Sequence, residues 1–514
     1  PRADGGGQKR RQRQTHSGQG GRAMTLRKLI AALDRPMVSG DLDTEITALA
    51  YDSRKVKAGV LFVALRGVKT DGHDFISQAL ISGASAIVAE VASPEIGVTP
   101  WIHVPDARVA LAKISAQFFH DPSKRMLVGA VTGTNGKTTT ACILHHLLNA
   151  AHVRCGLIGT LHYDLGGEVR EATHTTPESL ELQELLATMT ANGCQAVAME
   201  ASSHALHQHR LDGVKVNAAI FTNLTQDHLD YHGTMEDYFD QKSKLFDAVS
   251  GQPNGKLIIN ADDKWGRRLI QRHENHPGLL RYGFTVGSDY RASDARCETT
   301  GSTYELEHKG RSFLVRIPLI GLFNVYNSLA ALAAAHTLGC NFRESVTNLA
   351  KTPQVPGRME RISTRERFQV FVDYAHTPDG LINALSSARA LRPTRIITVF
   401  GCGGDRDRTK RPLMAQAVEE GSDISILTSD NPRTEDPQQI LEDARKGFAK
   451  SSYTLIEDRR QAILAAIKNA SDGDLILIAG KGHETYQDVK GVKHPFDDRK
   501  VARGYLNQRR EEWR

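Results

Sequence analysis

The sequence predicts an α/β protein of three domains. A small N-terminal α/β domain comes first. A central domain follows, on a P-loop-type parallel sheet with helices on both faces. A Rossmann-like α/β domain closes the chain. Three observations predict this. The chain has 514 residues, against roughly 150 for a typical domain. From residue 126 onward, short apolar strands alternate with helical patterns, the rhythm of a parallel sheet covered on both faces. Proline-bearing breaks at His120-Asp121-Pro122-Ser123 and at Pro353–Pro356 interrupt that rhythm, because the residue before proline disfavours helix. The expected domains are therefore 24–121, 122–355 and 356–514, after a tail of 1–23.

Each element has its own signal. In the first domain Val60–Leu65 and Ala86–Ala89 read as buried strands and Phe75–Ser82 as a helix, punctuated by Gly67, Gly72 and Gly83. Met24 opens an amphipathic helix through Leu26, Leu29, Ile30 and Leu33. In the central domain the strands are Met126–Val131, Ala196–Met199, Val216–Phe221 and Lys256–Ile259. Its helices are Thr138–Ala150, Ser179–Ala191 and the Ala/Leu-rich Asn324–Gly339. The third domain has strands Gln369–Val372, Arg395–Phe400, Ile424–Thr428 and Leu475–Ile478.

Composition excludes several classes. Hydrophobic residues make up 40% and charged residues 24%, which rules out a largely disordered chain, a collagen or a coiled coil. Six scattered cysteines form no CxxC pair, so a zinc ribbon or thioredoxin-type site is unsupported, and reduced thiols in a cytoplasmic protein are expected. No apolar run reaches the ~18–20 residues of a membrane helix. The net charge is +6, but residues 1–23 carry +5 of it, which leaves +1 for residues 24–514. The tail is expected to be disordered and reads as an added or over-extended start. Nucleic acid and membrane are not expected partners.

The strand Met126–Val131 runs into Thr132-Gly133-Thr134-Asn135-Gly136-Lys137-Thr138-Thr139-Thr140 and then a helix. Gly133 and Gly136 let backbone N–H groups curl toward phosphate oxygens, and the helix N-terminus adds positive potential. Lys137 suits the β/γ-phosphates and Thr138 a Mg²⁺ ion. The strict GxxxxGK[ST] spacing fails, since Val131 stands where the first glycine belongs. Glu200 follows a strand on the same sheet, a placement that suits Mg²⁺ but also an ordinary solvated acid. Lys242 lies within the apolar stripe Tyr238, Phe239, Leu245 and Phe246 of Met235–Ser250. By helix geometry it either snorkels outward or serves a site. Gly401-Cys402-Gly403-Gly404-Asp405-Arg406 lacks the third glycine of a dinucleotide fingerprint, so NAD is not expected.

TGTNGKTTT resembles the nucleotide loop of the Mur ligase family, and matching segments run in order from Met24 to the C-terminus. The resemblance implies an ATP-dependent amide ligase working through an acyl phosphate. ATP would be held by Gly133, Thr134, Asn135, Gly136, Lys137, Thr138, Thr139, Asn324, Arg358 and Asp373. Metal ligands would be Thr138, Glu200, His228 and Lys242, the last carbamylated by CO₂. Lys137, Lys242, His228 and Arg358 would be the catalytic set. A UDP-muramoyl-dipeptide would meet Ser53 in the first domain and Thr175, Thr176, Ser202, Gln208 and Arg210 in the second. Asp52-Ser53-Arg54 is also an ordinary turn, and Thr175-Thr176-Pro177-Glu178 also suits a helix start.

The Asp430-Asn431-Pro432-Arg433 segment resembles a motif of members that add meso-diaminopimelate, although Asn-Pro alone is a turn signal. Arg433 would grip the carboxylate that distinguishes diaminopimelate from lysine. Arg406, Gly480 and Glu484 would complete that site. The implied reaction joins diaminopimelate to the D-glutamate of UDP-N-acetylmuramoyl-L-alanyl-D-glutamate in peptidoglycan synthesis, by a cytoplasmic monomer. Addition of L-lysine, folylpolyglutamate synthesis and a nucleotide-switch ATPase are the alternatives.

Overall fold

The computed structural model describes residues 23–67, 70–92, 99–363, 366–450 and 453–512. The expectation about the basic tail falls on residues 1–22, outside the described residues. The chain divides into two compact units, Pro1–His120 and Asp121–Arg514.

The first unit carries a five-stranded sheet. Its strands are Met37–Ser39 (β1), Ala48–Ala50 (β2), Val60–Val63 (β3), Ala86–Ala89 (β4) and Trp101–His103 (β5). Their order is β1-β5-β4-β3-β2, parallel except at β1. Every residue of β3 and β4 is buried, as continuous apolar strands predict. The helix opening near Met24 is shorter than its periodicity suggests. It covers only Leu26–Ile30 (α1), while Met24–Thr25 pairs as a strand with Glu45–Ile46, and Ile76–Ile81 (α2) and Ala107–Phe118 (α3) are further α-helices of the unit. Thr25 in extended backbone starts the helix, and Pro36 closely follows its end.

Among the described residues the second unit holds two large sheets and a two-stranded antiparallel ribbon, Tyr486–Val489 with Val492–Pro495. The larger contains Leu127–Thr132 (β6), Cys155–Ile158 (β7), His162–Asp164 (β8), Val169–Glu171 (β9), Ala196–Glu200 (β10), Ala218–Phe221 (β11), Lys256–Asn260 (β12), Leu279–Gly283 (β13), Tyr290–Glu298 (β14), Gly301–His308 (β15) and Arg311–Ile317 (β16). Their order is β9-β8-β7-β10-β6-β11-β12-β13-β14-β15-β16. The centre, β7 to β14, is parallel. Both edges are antiparallel. Helices Lys137–Ala150 (α4) and Leu322–Thr337 (α9) cover one face. Helices Ser179–Ala191 (α5), Met235–Ser250 (α7) and Lys264–Arg272 (α8) cover the other; between α5 and α7 lies the short helix Ser203–His207 (α6). The chain leaves β6 toward one side and later returns to its other side as β11. Ligands bind at such a reversal, beyond the C-terminal ends of the strands.

The smaller sheet contains Glu360–Arg361 (β17), Gln369–Asp373 (β18), Ile396–Phe400 (β19), Ile424–Leu427 (β20), Tyr453–Leu455 (β21) and Leu475–Ala479 (β22), in the order β17-β18-β22-β19-β20-β21. All pairs are parallel except β17 with β18. Pro378–Ala390 (α10), Lys410–Gly421 (α11) and Pro437–Arg445 (α12) pack on one face. Arg459–Asn469 (α13) and Asp498–Glu512 (α14) pack on the other. No helix among the described residues is long and apolar enough to cross a membrane.

Candidate active site

The phosphate loop leaves the end of β6 and closes on α4. Gly133 has φ +148°, and a Cβ there would lie 1.9 Å from the Thr222 hydroxyl. No side chain fits. Lys137 folds back over the loop and donates to the carbonyls of Gly133 (2.9 Å) and Thr134 (2.7 Å). Burial pulls its pKa down, against the opposing charges of Glu200 and Asp227. Thr138 donates to Glu200 Oε2 at 3.1 Å and accepts from Arg358 Nη2 at 3.2 Å. Arg358 lies beyond the 353–356 linker, so the smaller-sheet region reaches the phosphate loop directly. Its guanidinium also sits 4.6 Å over the Tyr374 ring.

Two cavities meet along this loop. One, of about 480 Å³, is lined by Thr134–Thr138, Thr175, Thr176, Glu200, Ser202, Gln208, Arg210, His228, Lys242, Arg358, Arg406, Asp430, Asn431, Arg433, Gly480 and Glu484. The other, of about 330 Å³, is lined by Asn135, Gly136, Thr138, Thr139, Asn327, Tyr326, Arg358 and Asp373, among others. Asn135, Gly136, Thr138, Arg358, Tyr374 and His376 line both. Most residues expected from the sequence therefore converge.

Four sit elsewhere. Gly133 lies behind the loop, and its carbonyl accepts from both Lys137 and Lys242. Asn324 lines neither cavity: it donates to Ile320 O at 2.8 Å and accepts from Asn327 at 3.0 Å, so it braces the residue that does. Pro432 is buried and lines neither. Ser53 is in the other compact unit, where it begins the short turn Ser53–Lys55 capped by Asp52.

Lys242 does not snorkel. It is 1% exposed, donates to Gly133 O at 2.9 Å and lies 4.6 Å over the Tyr238 ring. Burial and the neighbouring Lys137 hold its pKa well below the usual lysine range, against Asp227. Glu200 is 1% exposed and accepts from the Thr160 N–H at 2.8 Å and from the hydroxyls of Thr160 and Thr138. Among the described residues no cationic side chain pairs with it within ion-pair distance, and no group of three or more His, Cys, Asp or Glu is arranged to hold a metal. His228 has left-handed backbone (φ +54°) and faces Asp227 at 3.3 Å. Burial opposes ionisation of Asp227, but the coupled His228 ring, His376 and the Lys410 ammonium outweigh it and hold its carboxyl below the usual range.

On the dipeptide side, Thr176 donates to Glu200 O (2.7 Å) and accepts from the Ser202 N–H (3.1 Å). Ser202 caps α6. Arg210 bonds Gln208 (2.6 Å) and Thr176 O (2.8 Å) and pairs with Glu178. Thr175 contacts Thr160 at 3.1 Å. Glu178 is also the N-cap of α5, so the segment starts a helix and lines the cavity at once.

The Asp430–Arg433 turn follows β20. Asn431 donates to Glu484 Oε2 at 2.8 Å, and Lys481 donates to the same oxygen at 2.9 Å. Lys481 also donates to Asn431 Oδ1 at 2.9 Å. Gly480 has φ +115°, and a Cβ there would be 2.5 Å from Asp430. Arg433 is half-buried rather than buried, with left-handed backbone, and donates to Gly404 O. Arg406 is exposed.

Several lining residues were not singled out from the sequence. Asp227 and His376 lie close in sequence to expected site residues, one beside His228 and one three residues after Asp373, so that proximity was the available signal. Lys481, between two glycines after the apolar strand β22, carried a similar one. His204, two residues after Ser202 on the helix that Ser202 caps, carried a similar one, whereas Lys410 carried none, because only the packing of separate elements brings it to the cavity.

Three family models match. Residues 131–335 match the Mur ligase middle domain, 357–482 the Mur ligase glutamate ligase domain, and 45–119 the Mur ligase family catalytic domain. A UDP-N-acetylmuramoyl-L-alanyl-D-glutamate–2,6-diaminopimelate ligase of Solibacter usitatus (strain Ellin6076) is 45% identical over 476 residues, 92% of this chain and 96% of the relative. One of the same name from Geobacillus thermodenitrificans (strain NG80-2) is 43% identical over 493 residues, 95% and 100% of the two chains. A solved structure of a protein so named superposes with a TM-score of 0.69 at 37% identity, covering 95% of this chain and all of that one. With its phosphate loop, cavities and sheets arranged as described, this chain belongs to the Mur ligase family.

Proposed function

We propose that the chain is an ADP-forming amide ligase that joins meso-diaminopimelate to the D-glutamate of UDP-N-acetylmuramoyl-L-alanyl-D-glutamate, for peptidoglycan synthesis. One observation carries this reading. The phosphate loop, the Thr175–Arg210 wall and the Asp430–Glu484 cluster all open onto the same cavity, so a nucleotide, an acid and an amine can meet there. The relatives' names supply the identity of acid and amine.

ATP would lie along the two cavities, with its phosphates against Thr134–Thr138 and its base toward Asn327 and Asp373. The D-glutamate carboxylate attacks the γ-phosphorus and ADP leaves, giving an acyl phosphate. The diaminopimelate amine attacks the acyl carbon and phosphate leaves. Lys137 and Arg358 are placed to neutralise the growing charge, and much of the remaining catalysis is positioning. Arg433 and Arg406 offer guanidinium forks for the extra carboxylate.

The donor set fits Mg²⁺. Glu200 is a buried carboxylate satisfied only by an amide and hydroxyls, and a hard cation takes such oxygen ligands. His228 and Thr138 would complete the set. When bound, the ion would neutralise phosphate charge. Lys242 fits a carbamate, because a buried amine held neutral is nucleophilic toward CO₂. The N–C bond forms as the neutral amine loses a proton, and an anionic carbamate takes the place of the amine. A uridine contact at Ser53, the domain limits 24–121, 122–355 and 356–514, a cytoplasmic location and a monomeric state belong to the same proposal. The six free cysteines accord with that location.

The test is phosphate release across an amino-acid panel. Release should require ATP, UDP-muramoyl-dipeptide and diaminopimelate together. Equal turnover with L-lysine would overturn the amine assignment. Release from ATP alone, stimulated by protein or nucleic acid, would favour a switch ATPase.

A further inference from the structure

The loop Thr222–His228, which follows β11, is bound to the phosphate loop by a set of hydrogen bonds. Thr134 N–H donates to Asn223 O (2.9 Å) and Asn135 N–H to Asn223 Oδ1 (2.9 Å). The Thr222 hydroxyl donates to Asn135 O (2.6 Å). Thr225 N–H donates to the Thr134 hydroxyl (3.0 Å), which itself donates to Thr225 O (3.2 Å). The two loops cannot move independently without breaking these bonds.

Two residues from beyond the linker hold these loops, Asp379 both of them and Lys410 the 222–228 loop. Asp379, in the first turn of α10, accepts from Asn135 Nδ2 (2.8 Å) and from the Thr225 hydroxyl (3.3 Å). Lys410, the first residue of α11, is 9% exposed and lies 3.7 Å from Asp227. A lysine in the first turn of a helix opposes the helix dipole. Its counter-charge comes from the central sheet's loop. Asp379 faces the smaller cavity and Lys410 the larger.

We propose that Asp379 and Lys410 are positioning residues that clasp the 222–228 loop, so that filling the nucleotide cavity and filling the amino-acid end are coupled through it. The proposal deepens the ligase reading and rests on it for the second substrate. It differs from direct contact in one respect: each half of the clasp acts on the far side. If Asp379 served only the nucleotide, its loss would change only the ATP KM. If Lys410 served only the amino acid, its loss would leave ATP binding alone.

The experiment compares the parent with Asp379→Ala, Lys410→Met, Lys410→Arg and Thr225→Val, each checked for an unchanged unfolding profile. Kinetics give KM for ATP and for diaminopimelate. Calorimetry gives the affinity for adenylyl imidodiphosphate with Mg²⁺. Asp379→Ala should raise the diaminopimelate KM about tenfold, and Lys410→Met should weaken the analogue about tenfold, in the usual range for coupled sites. Lys410→Arg should recover most of the loss, and Thr225→Val should show a smaller loss with intact folding. Effects confined to the near substrate overturn the clasp. A parent inactive with diaminopimelate would instead overturn the substrate reading, while analogue binding by Lys410→Met still decides the clasp.

Discussion

Lys481 is a lysine side chain with no exposed surface, set between Asn431 and Glu484 at 2.9 Å each and 3.9 Å from Asp430. Removing it would leave the Asp430 and Glu484 carboxylates without their shared cation, in the wall proposed to receive the amino acid. Lys481→Met is expected to raise the diaminopimelate KM at least tenfold with little change for ATP. An unchanged amino-acid KM would show that Lys481 only fills space. Arg433→Lys tests the same cluster: a point charge replaces a planar fork, so the diaminopimelate KM should rise while lysine remains a poor substrate. For Lys242, the Ala variant should be inactive and partly restored by short carboxylates, and rescue by short amines instead would argue against a carbamate. At this scale the sequence was informative where chemistry is local. Lys137, Thr138, Glu200 and Arg433 sit in contiguous motifs. Lys410 was silent, because its partner Asp227 is brought to it only by packing.

Elements show the same division. Strands that are buried on both faces, such as β10, β19 and β22, are continuous apolar runs and read directly. The antiparallel extension β14–β16 was missed. Its inward residues Tyr290, Ala292, Tyr304, Leu306, Val315 and Ile317 alternate with less buried, mostly polar ones, and a register shift between Ser293 and Arg296 breaks the alternation. One contact between elements deserves a test of its own. Arg459 at the start of α13 meets Asp498 at the start of α14 in a fork of 2.8 and 2.7 Å, with both side chains fully buried. The same guanidinium donates to Ala479 O at 2.8 Å, just before the Gly480–Glu484 loop. Asp498→Ala strands a buried cation and should cost about 3–5 kcal/mol, read as a urea midpoint shift. A matched Arg459→Met/Asp498→Leu pair should lose far less stability yet still raise the diaminopimelate KM, since the loop's anchor is gone. Equal stability losses would show that the fork, not the stranded charge, matters.

Across the molecule, histidine burial sets the acid limit of the larger unit. His145, His204, His232, His273, His336, His376 and His483 all lie in residues 121–514, and in each, burial is the largest cause of a lowered pKa. His232 and His376 fall to about 4, and His483, beside Arg358, Arg499 and Lys481, to about 3. The unfolded chain protonates these rings near pH 6.5, while the native state keeps them neutral. Above pH 6.5 both states are neutral and the rings add no pH dependence. As pH falls from about 6.5 toward 4, the unfolded state binds more protons and stability is lost, by at most about 1.4 kcal/mol per pH unit for each fully differential ring. Burial raises the carboxyls of Asp263, Asp373 and Asp379, which works in the opposite direction but starts from the lower carboxylate range. The unfolding midpoint should therefore fall more steeply between pH 6.5 and 5 than between pH 8 and 7, where the buried neutral Lys242 amine already draws proton uptake on unfolding, with larger net uptake at pH 5.5. His483→Gln should make that fall shallower, because one ring no longer differs between the two states. A midpoint that holds level down to pH 5 would mean the buried rings accept protons in the native fold, and that the cations around His483 do not exclude its charge.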